Sequence, residues 1–319
     1  MTHGLLLIDK PEGLTSNAVV GIVRKRLGRS IKVGHTGTLD PAATGLLVIL
    51  LGVATRALDF LDEARKHYQV EVRLGEESDT CDREGKISVT GDPGILTRQE
   101  IESCLKGFLG KSNQVPPHFS AIKKDGVPLY KLARKGVFPT LEIRKIEIFK
   151  LSILKWCPPN LMIDLICSKG TYARSLARDI GVCLGVGGRV NTLRRIASGK
   201  FNIETAHDLE FIRNASNQEI QKSLIPLCEA LEHMPEIKVF DAGLRKLAFG
   251  VYLESGKGEI ASDLLMDCQE HKVYRVQDAN NRILVLVRVE QKDNGPFVLR
   301  PIKVFDLVSK TSLESGWER

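Results

Sequence analysis

The stretch Gly34-His35-Thr36-Gly37-Thr38-Leu39-Asp40-Pro41-Ala42-Ala43-Thr44-Gly45 decides how this chain is read. Three glycines and a proline in twelve residues exclude an ordinary helix or strand interior. The segment is expected to be a tightly shaped loop that delivers the buried apolar run beginning at Leu46. It holds a single carboxylate, Asp40, and the following proline favours an extended or turn conformation there. A fixed carboxylate on a rigid loop suits catalysis. The structural alternative is that Thr38 and Asp40 cap turns by accepting backbone N–H groups. His35 and Asp40 could also supply half of a metal site, but no third and fourth ligands follow at suitable spacing, so no metal is expected.

Working outward, residues 4–9 (Gly-Leu-Leu-Leu-Ile-Asp) form a short buried strand pattern ending at the turn-like Lys10-Pro11-Glu12-Gly13. Thr15 or Ser16 is placed to cap a helix carrying Val19, Val20, Val23 and Leu27 on one face, with Gly28 ending it. Residues 45–53 are another buried run, and His67 to Leu74 alternates as a strand does. Thr97-x-x-Glu100 is a capping box that opens a helix to about Phe108. Residues 111–140 are basic and punctuated by Pro116-Pro117, Gly126, Pro128, Gly136 and Pro139, which predicts a long exposed loop or short-helix excursion. Strands are expected at Ile143–Leu154 and Leu161–Cys167, then a helix from Tyr172 to about Leu184. Lys272–Val276, Ile283–Val289 and Phe297–Val304 read as strands of a small β module. The pattern gives an α+β fold with a mainly antiparallel sheet and a β-barrel-like tail.

Composition narrows the function. The 319 residues are 43% hydrophobic and 27% charged, enough for a full core. The seven cysteines are odd in number and scattered, with no Cys-x-x-Cys pair, which points to a reducing, cytoplasmic setting rather than a disulfide or zinc framework. The longest apolar run, Gly45 to Ala54, is about half of what a membrane helix needs. Met1-Thr2-His3-Gly4 lacks a basic, apolar leader, so neither secretion nor membrane insertion is expected. The net charge of +7 is unevenly spread: residues 101–200 hold 18 Lys and Arg against 6 Asp and Glu. One surface facing a polyanion would produce this, and so would a merely solvated basic face.

Two further segments carry candidate chemistry. Cys167-Ser168-Lys169-Gly170-Thr171-Tyr172-Ala173-Arg174 lies where a strand hands over to a helix; an aromatic beside an arginine suits a stacked base and an anionic group. The alternative is a core tyrosine and a surface arginine. Gln114-Val115-Pro116-Pro117-His118-Phe119-Ser120-Ala121-Ile122-Lys123, with Tyr130 and Arg134, interleaves cations and aromatics as an RNA clamp would, or as a basic linker would. Tyr68, taken alone, reads as a core residue.

Together these segments closely resemble the TruB family of tRNA pseudouridine synthases. The resemblance runs in order from Asp9-Lys10-Pro11-x-Gly13-x-Thr15-Ser16 through residues 34–45, Tyr68, residues 114–134, and Ser168 to Arg174, ending at Leu193-Arg194-Arg195. It covers roughly residues 5–205; the tail is more weakly similar to a PUA-type RNA-binding domain. The resemblance implies a pseudouridine synthase fold, with a central mainly antiparallel mixed sheet flanked by helices. It implies a catalytic domain over 1–236, with 111–140 as a thumb-like insertion, and a PUA-like domain over 237–319. The implied reaction isomerises the uridine conventionally numbered 55 in the T-arm loop of tRNA to pseudouridine, without cofactor or metal, the protein acting as a monomer. Asp40 matches the catalytic aspartate and Arg174 the arginine that pairs with it, a cation expected to lower the carboxyl pKa. Tyr68 and Tyr172 match the residues on either side of the flipped base, Leu193 a pocket-lining leucine, and His35 the histidine that fills the space the base vacates. The rival readings are a guide-RNA-dependent ribosomal RNA enzyme and a non-catalytic tRNA-folding chaperone.

Overall fold

The computed structural model describes residues 3–61, 65–260, 269–280, 283–291 and 296–307; Met1, Thr2 and Cys268 lie outside them. The first half runs β1 (Gly4–Lys10), α1 (Ser16–Leu27), β2 (Val33–Thr36), β3 (Thr44–Leu51), α2 (Leu58–Leu61) and β4 (Lys66–Leu74). It continues with the hairpin β5 (Glu76–Ser78) and β6 (Ile87–Val89), α3 (Arg98–Lys106), β7 (Gly110–Gln114), the short ladder β8 (Lys123–Lys124) and β9 (Val127–Pro128), and α4 (Leu129–Ala133). Then come β10 (Arg144–Cys157), β11 (Asn160–Cys167), α5 (Ala173–Cys183), β12 (Gly188–Ser198) and β13 (Phe201–Asn202).

Local chemistry sets these boundaries. Thr15 caps α1 by accepting from the Ala18 N–H at 3.0 Å, and Gly28 ends it at φ +105°. The Thr97–Glu100 capping box opens α3 with both reciprocal bonds made. β3 is buried along its length because both of its faces are covered. Leu46, Val48 and Leu50 pack with Leu5 and Leu7 on one side, and Leu47, Ile49 and Leu51 pack with Val19, Val20 and Val23 of α1 on the other. Each such side chain contributes about 1.5–3 kcal/mol when fully buried. A third cluster holds β4, β10, β11 and β12 against Ile101 of α3 and Leu176 and Ile180 of α5.

The strands join in one sheet in the order β1-β3-β12-β4-β11-β10-β7, with β2 added to β3 and β13 to β12. All neighbours are antiparallel except β12 and β3, which run parallel where Arg194 and Arg195 meet Thr44 and Gly45. The sheet is therefore mixed and mainly antiparallel. Two sequence expectations are amended. Residues 111–114 leave the basic excursion and, with Gly110, become an edge strand on β10, and Gly188–Ser198, which the sequence did not mark as a strand, lies inside the sheet between β3 and β4. Gly45 explains how β12 can lie so close: at φ +102° its missing Cβ would stand 2.3 Å from the Arg195 carbonyl oxygen.

Four short helices, α6 (Leu209–Asn214), α7 (Asn217–Lys222), α8 (Leu227–Ala230) and α9 (Asp241–Ala248), lead to β14 (Leu253–Glu254), β15 (Val273–Gln277), β16 (Ile283–Gln291) and β17 (Phe297–Asp306). Among the described residues these strands form an open antiparallel sheet in the order β14-β17-β16-β15, not a closed barrel. Ile283, Val285, Val287 and Val289 face its own core, while Leu284 and Leu286 pack with Leu46 and Leu50 of the main body. Among the described residues no helix is long and apolar enough to cross a membrane.

Candidate active site

The loop between β2 and β3 is tied down at nearly every second residue. Arg195 donates from Nη2 to the Gly37 carbonyl at 2.9 Å. Ser16 accepts from the Leu39 N–H at 2.9 Å and donates back to the Leu39 carbonyl at 3.1 Å. The Pro41 carbonyl accepts from the Gly13 N–H at 2.9 Å and from Lys10 Nζ at 3.2 Å. The Ala43 N–H closes a turn on the Asp40 carbonyl at 3.1 Å. Lys10 is fully buried and also donates to the Pro11 and Leu14 carbonyls. Burial lowers its pKa to about 8, against the opposing pull of the Asp40 carboxylate. A loop anchored this heavily holds one side chain in one place.

That side chain is Asp40, and Arg174 from the first turn of α5 meets it side-on. Nε lies 2.9 Å from Oδ2 and Nη2 lies 3.1 Å from Oδ1, a bidentate fork. The remaining donors are also directed. Nη2 reaches the Phe119 carbonyl at 2.9 Å, and Nη1 reaches the Thr80 carbonyl at 3.2 Å and Asp82 Oδ2 at 3.5 Å. Arg174 is thus buried and fully used, not the surface arginine of the alternative reading. Asp40 keeps 37% of its side chain open to the cavity above it. Burial raises its carboxyl above the ordinary range, Arg174 pulls it down, and the nearby Asp82 pushes it up again. The cation expected from the sequence is present and acts in the expected direction, but burial outweighs it. The result is a carboxylate deep enough to be reactive and open enough to touch a ligand.

Above Asp40 lies a cavity of about 380 Å³, within the usual range of about 300–1,000 Å³ for small-ligand sites. Tyr68 from β4, Tyr172 at the start of α5 and Leu193 from β12 line it together with Asp40 and Arg174. Five cations, Lys66, Arg144, Lys169, Arg174 and Arg195, share that lining with the single carboxylate of Asp40. Tyr172 is held by its backbone, because the Gln114 amide accepts from its N–H at 2.8 Å and donates to its carbonyl at 3.1 Å. His35 stands apart: half-buried on β2 opposite Ile49, it is not among the cavity's lining residues. Ser120, Ala121 and Ile122 of the basic excursion close one side of the cavity.

Sequence reasoning missed three contributors. Asp82 is buried and fixed by Thr80 Oγ1 at 2.6 Å and the Glu84 N–H at 3.0 Å; in sequence it stands among other acidic residues with nothing to single it out. Thr15, not Ser16, caps α1, which leaves the Ser16 hydroxyl to grip Leu39. Arg195 sits in the basic pair of Leu193-Arg194-Arg195, and nothing in that pattern signals that it is 1% exposed.

Comparisons with known proteins identify the family. Residues 24–173 match the model of the TruB family pseudouridylate synthase N-terminal domain, and residues 174–232 that of the tRNA pseudouridylate synthase B C-terminal domain. The chain is 45% identical over 249 residues to tRNA pseudouridine synthase B of Syntrophotalea carbinolica, covering 78% of this chain and 81% of that one. It is 39% identical over 292 residues to tRNA pseudouridine synthase B of Clostridium perfringens strain ATCC 13124, covering 91% and 96%. Among solved structures, a chain of a Cbf5-Nop10-Gar1 complex superposes with a TM-score of 0.71 at 25% identity, covering 95% of this chain and 84% of that one. With two family models covering most of the sheet and relatives matched over four-fifths or more of their own length, the chain belongs to the TruB family of pseudouridylate synthases.

Proposed function

We propose that this protein isomerises the uridine conventionally numbered 55 in the T-arm loop of tRNA to pseudouridine, with Asp40 as the catalytic carboxylate. The observation that carries the reading is the Asp40–Arg174 fork at the floor of a cavity walled by Tyr68 and Tyr172 and ringed by cations. The names of the relatives point the same way.

The reaction moves one bond. The C1′–N1 glycosidic bond breaks, the uracil turns, C5 bonds to C1′, the C5 proton leaves and N1 takes up a proton, so that the product is an isomer of the substrate. Atoms and electrons balance without an external oxidant or reductant. Asp40 acts ionised, as nucleophile or base towards the nucleoside, and Arg174 fixes the orientation of both carboxylate oxygens. A uridine stacked inside the loop is out of reach, so the target is flipped into the cavity. There Tyr68 stacks on the base, Tyr172 bounds its other side and Leu193 packs against its edge. His35, outside the cavity, is suited to filling the space the base leaves in the RNA loop. Residues 1–236 are the catalytic unit, the part of 111–140 that follows β7 is the insertion that closes over the T-arm, and 237–319 is a PUA-like RNA-binding unit. The protein works as a monomer in the cytoplasm.

The test is incubation of an unmodified tRNA transcript with the protein, followed by carbodiimide derivatisation and primer extension. A single new stop one nucleotide before position 55 is expected. No stop in the T-arm, or a stop elsewhere that requires an added guide RNA, would refute the reading.

A further inference from the structure

Arg195 heads the fully buried side chains by size, yet it carries a permanent charge. It stands on β12 with Tyr68 of β4 directly opposite on one side and Gly45 of β3 on the other. Its Nε donates to the Leu46 carbonyl at 2.7 Å and its Nη2 to the Gly37 carbonyl at 2.9 Å. Its side chain shares the cavity lining with Tyr68, its direct cross-strand neighbour, and its charge favours the ionised phenol against the burial that raises the Tyr68 pKa. Among the described residues Arg195 forms no ion pair, whereas its neighbour Arg194 pairs with Asp9 at 2.7 Å.

A buried cation without a carboxylate carries a desolvation cost that an apolar side chain of equal volume avoids. The partners of Arg195 show what the charge is used for. Gly37 opens the loop that carries Asp40, Leu46 lies in the buried run of the strand that follows it, and Tyr68 is the ring that walls the cavity. One planar fork therefore grips the loop half of the site and stands beside the ring half, and a rigid, planar donor array transmits position in a way that a flexible ammonium does not.

We propose that Arg195 is a positioning residue that locks the Tyr68 ring and the Asp40 loop into one unit, setting the distance between the stacked base and the carboxylate. The proposal rests on the isomerase reading above. It gives Arg195 no direct chemistry. Its effect is on geometry, where a misplacement of about 1 Å lowers a rate by about a hundredfold.

The experiment measures single-turnover conversion of an unmodified tRNA transcript, with transcript affinity read alongside, for Arg195→Lys, Tyr68→Phe and the double variant. Arg195→Lys keeps the charge and loses the fork, while Tyr68→Phe keeps the ring and loses only the hydroxyl. Each single variant is expected to convert at least about tenfold more slowly with affinity unchanged within about twofold. The double variant is expected to be little slower than the worse single one, because both break the same link. Native-rate conversion by Arg195→Lys would overturn the proposal, since charge alone would then suffice. Losses that multiply, or a loss confined to affinity, would overturn it too. If Arg195→Lys does not fold, Tyr68→Phe decides by itself, and a native rate there is equally fatal. Failure of the native protein to make pseudouridine would instead refute the isomerase reading, and this proposal with it.

Discussion

Replacing Arg174 tests how the site controls the ionisation of its carboxylate. The guanidinium directs all of its donors at acceptors, among them both oxygens of Asp40 and, at 3.5 Å, one oxygen of Asp82. Arg174→Met leaves two carboxylates near each other with no cation between them. Losing one partner of a fully buried pair costs about 3–5 kcal/mol. The cavity leaves 37% of Asp40 exposed, so water screens the pair and the loss should fall below that range. An adjacent arginine lowers a carboxyl pKa by about 1–3 units, and the same screening favours the lower end. The acid limb of the rate profile should therefore move towards alkaline pH, because the cation that pulls the Asp40 carboxyl down is gone while burial and Asp82 still push it up.

The sign follows from the role. Asp40 must be ionised to act, so the rate falls as pH drops through its pKa, which burial already raises. Without Arg174 that fall begins at higher pH. The stability contribution of Asp40 has the matching form: because its folded pKa lies above the unfolded one, the contribution is complete below the unfolded value and is lost as pH rises through the folded value. Arg174→Met moves that loss to higher pH as well. Arg174→Lys should fall between the two, since an ammonium keeps the charge but cannot reproduce five directed donors. The assay is single-turnover conversion from about pH 5 to about pH 9 for the three proteins, with folding checked by circular dichroism. An acid limb in folded Arg174→Met that coincides with the native one would refute the reasoning.

Two more predictions concern the scaffold. Gly45→Ala would place a Cβ 2.3 Å from the Arg195 carbonyl oxygen at φ +102°, so we expect a loss of about 3 kcal/mol or more, read as a lower urea midpoint; an unchanged midpoint would show that β3 and β12 can separate freely. Lys10, with its pKa lowered to about 8 from 10.5, contributes stability that is present above pH 10.5 and is lost as pH falls through about 8. The native protein should thus gain on the order of 3 kcal/mol relative to Lys10→Met across that interval, and a flat difference curve would mean that the ammonium is not held in the buried site.

How much could be read from the sequence depends on what each residue packs against. β1 and β3 were legible because Leu5 to Ile8 and Leu46 to Leu51 are unbroken apolar runs, and α1 because Val19, Val20 and Val23 share one helical face. β12 was not, because Arg189, Arg194 and Arg195 interrupt its pattern. Arg189 and Arg195 are nonetheless buried, satisfied by Glu76 and by backbone carbonyls respectively. The edge strand β7 was hidden because its Lys111, Ser112 and Asn113 are exposed and look like loop. In the site, local pattern exposed the loop around Asp40, but Arg174 lies 134 residues away and was joined to it only through the family resemblance. Asp82 had no such signal. Its burial depends on the β5–β6 hairpin folding back onto α5, which composition does not encode.

The central claim, that Asp40 carries out uridine isomerisation in tRNA, is tested most directly by tritium release from a tRNA transcript labelled at uracil C5. Forming the C5–C1′ bond expels that hydrogen, so the native protein should release label equivalent to one uridine per tRNA. Asp40→Asn should release none while still binding the transcript. Release by Asp40→Asn at the native rate, or no release by the native protein, would contradict the account.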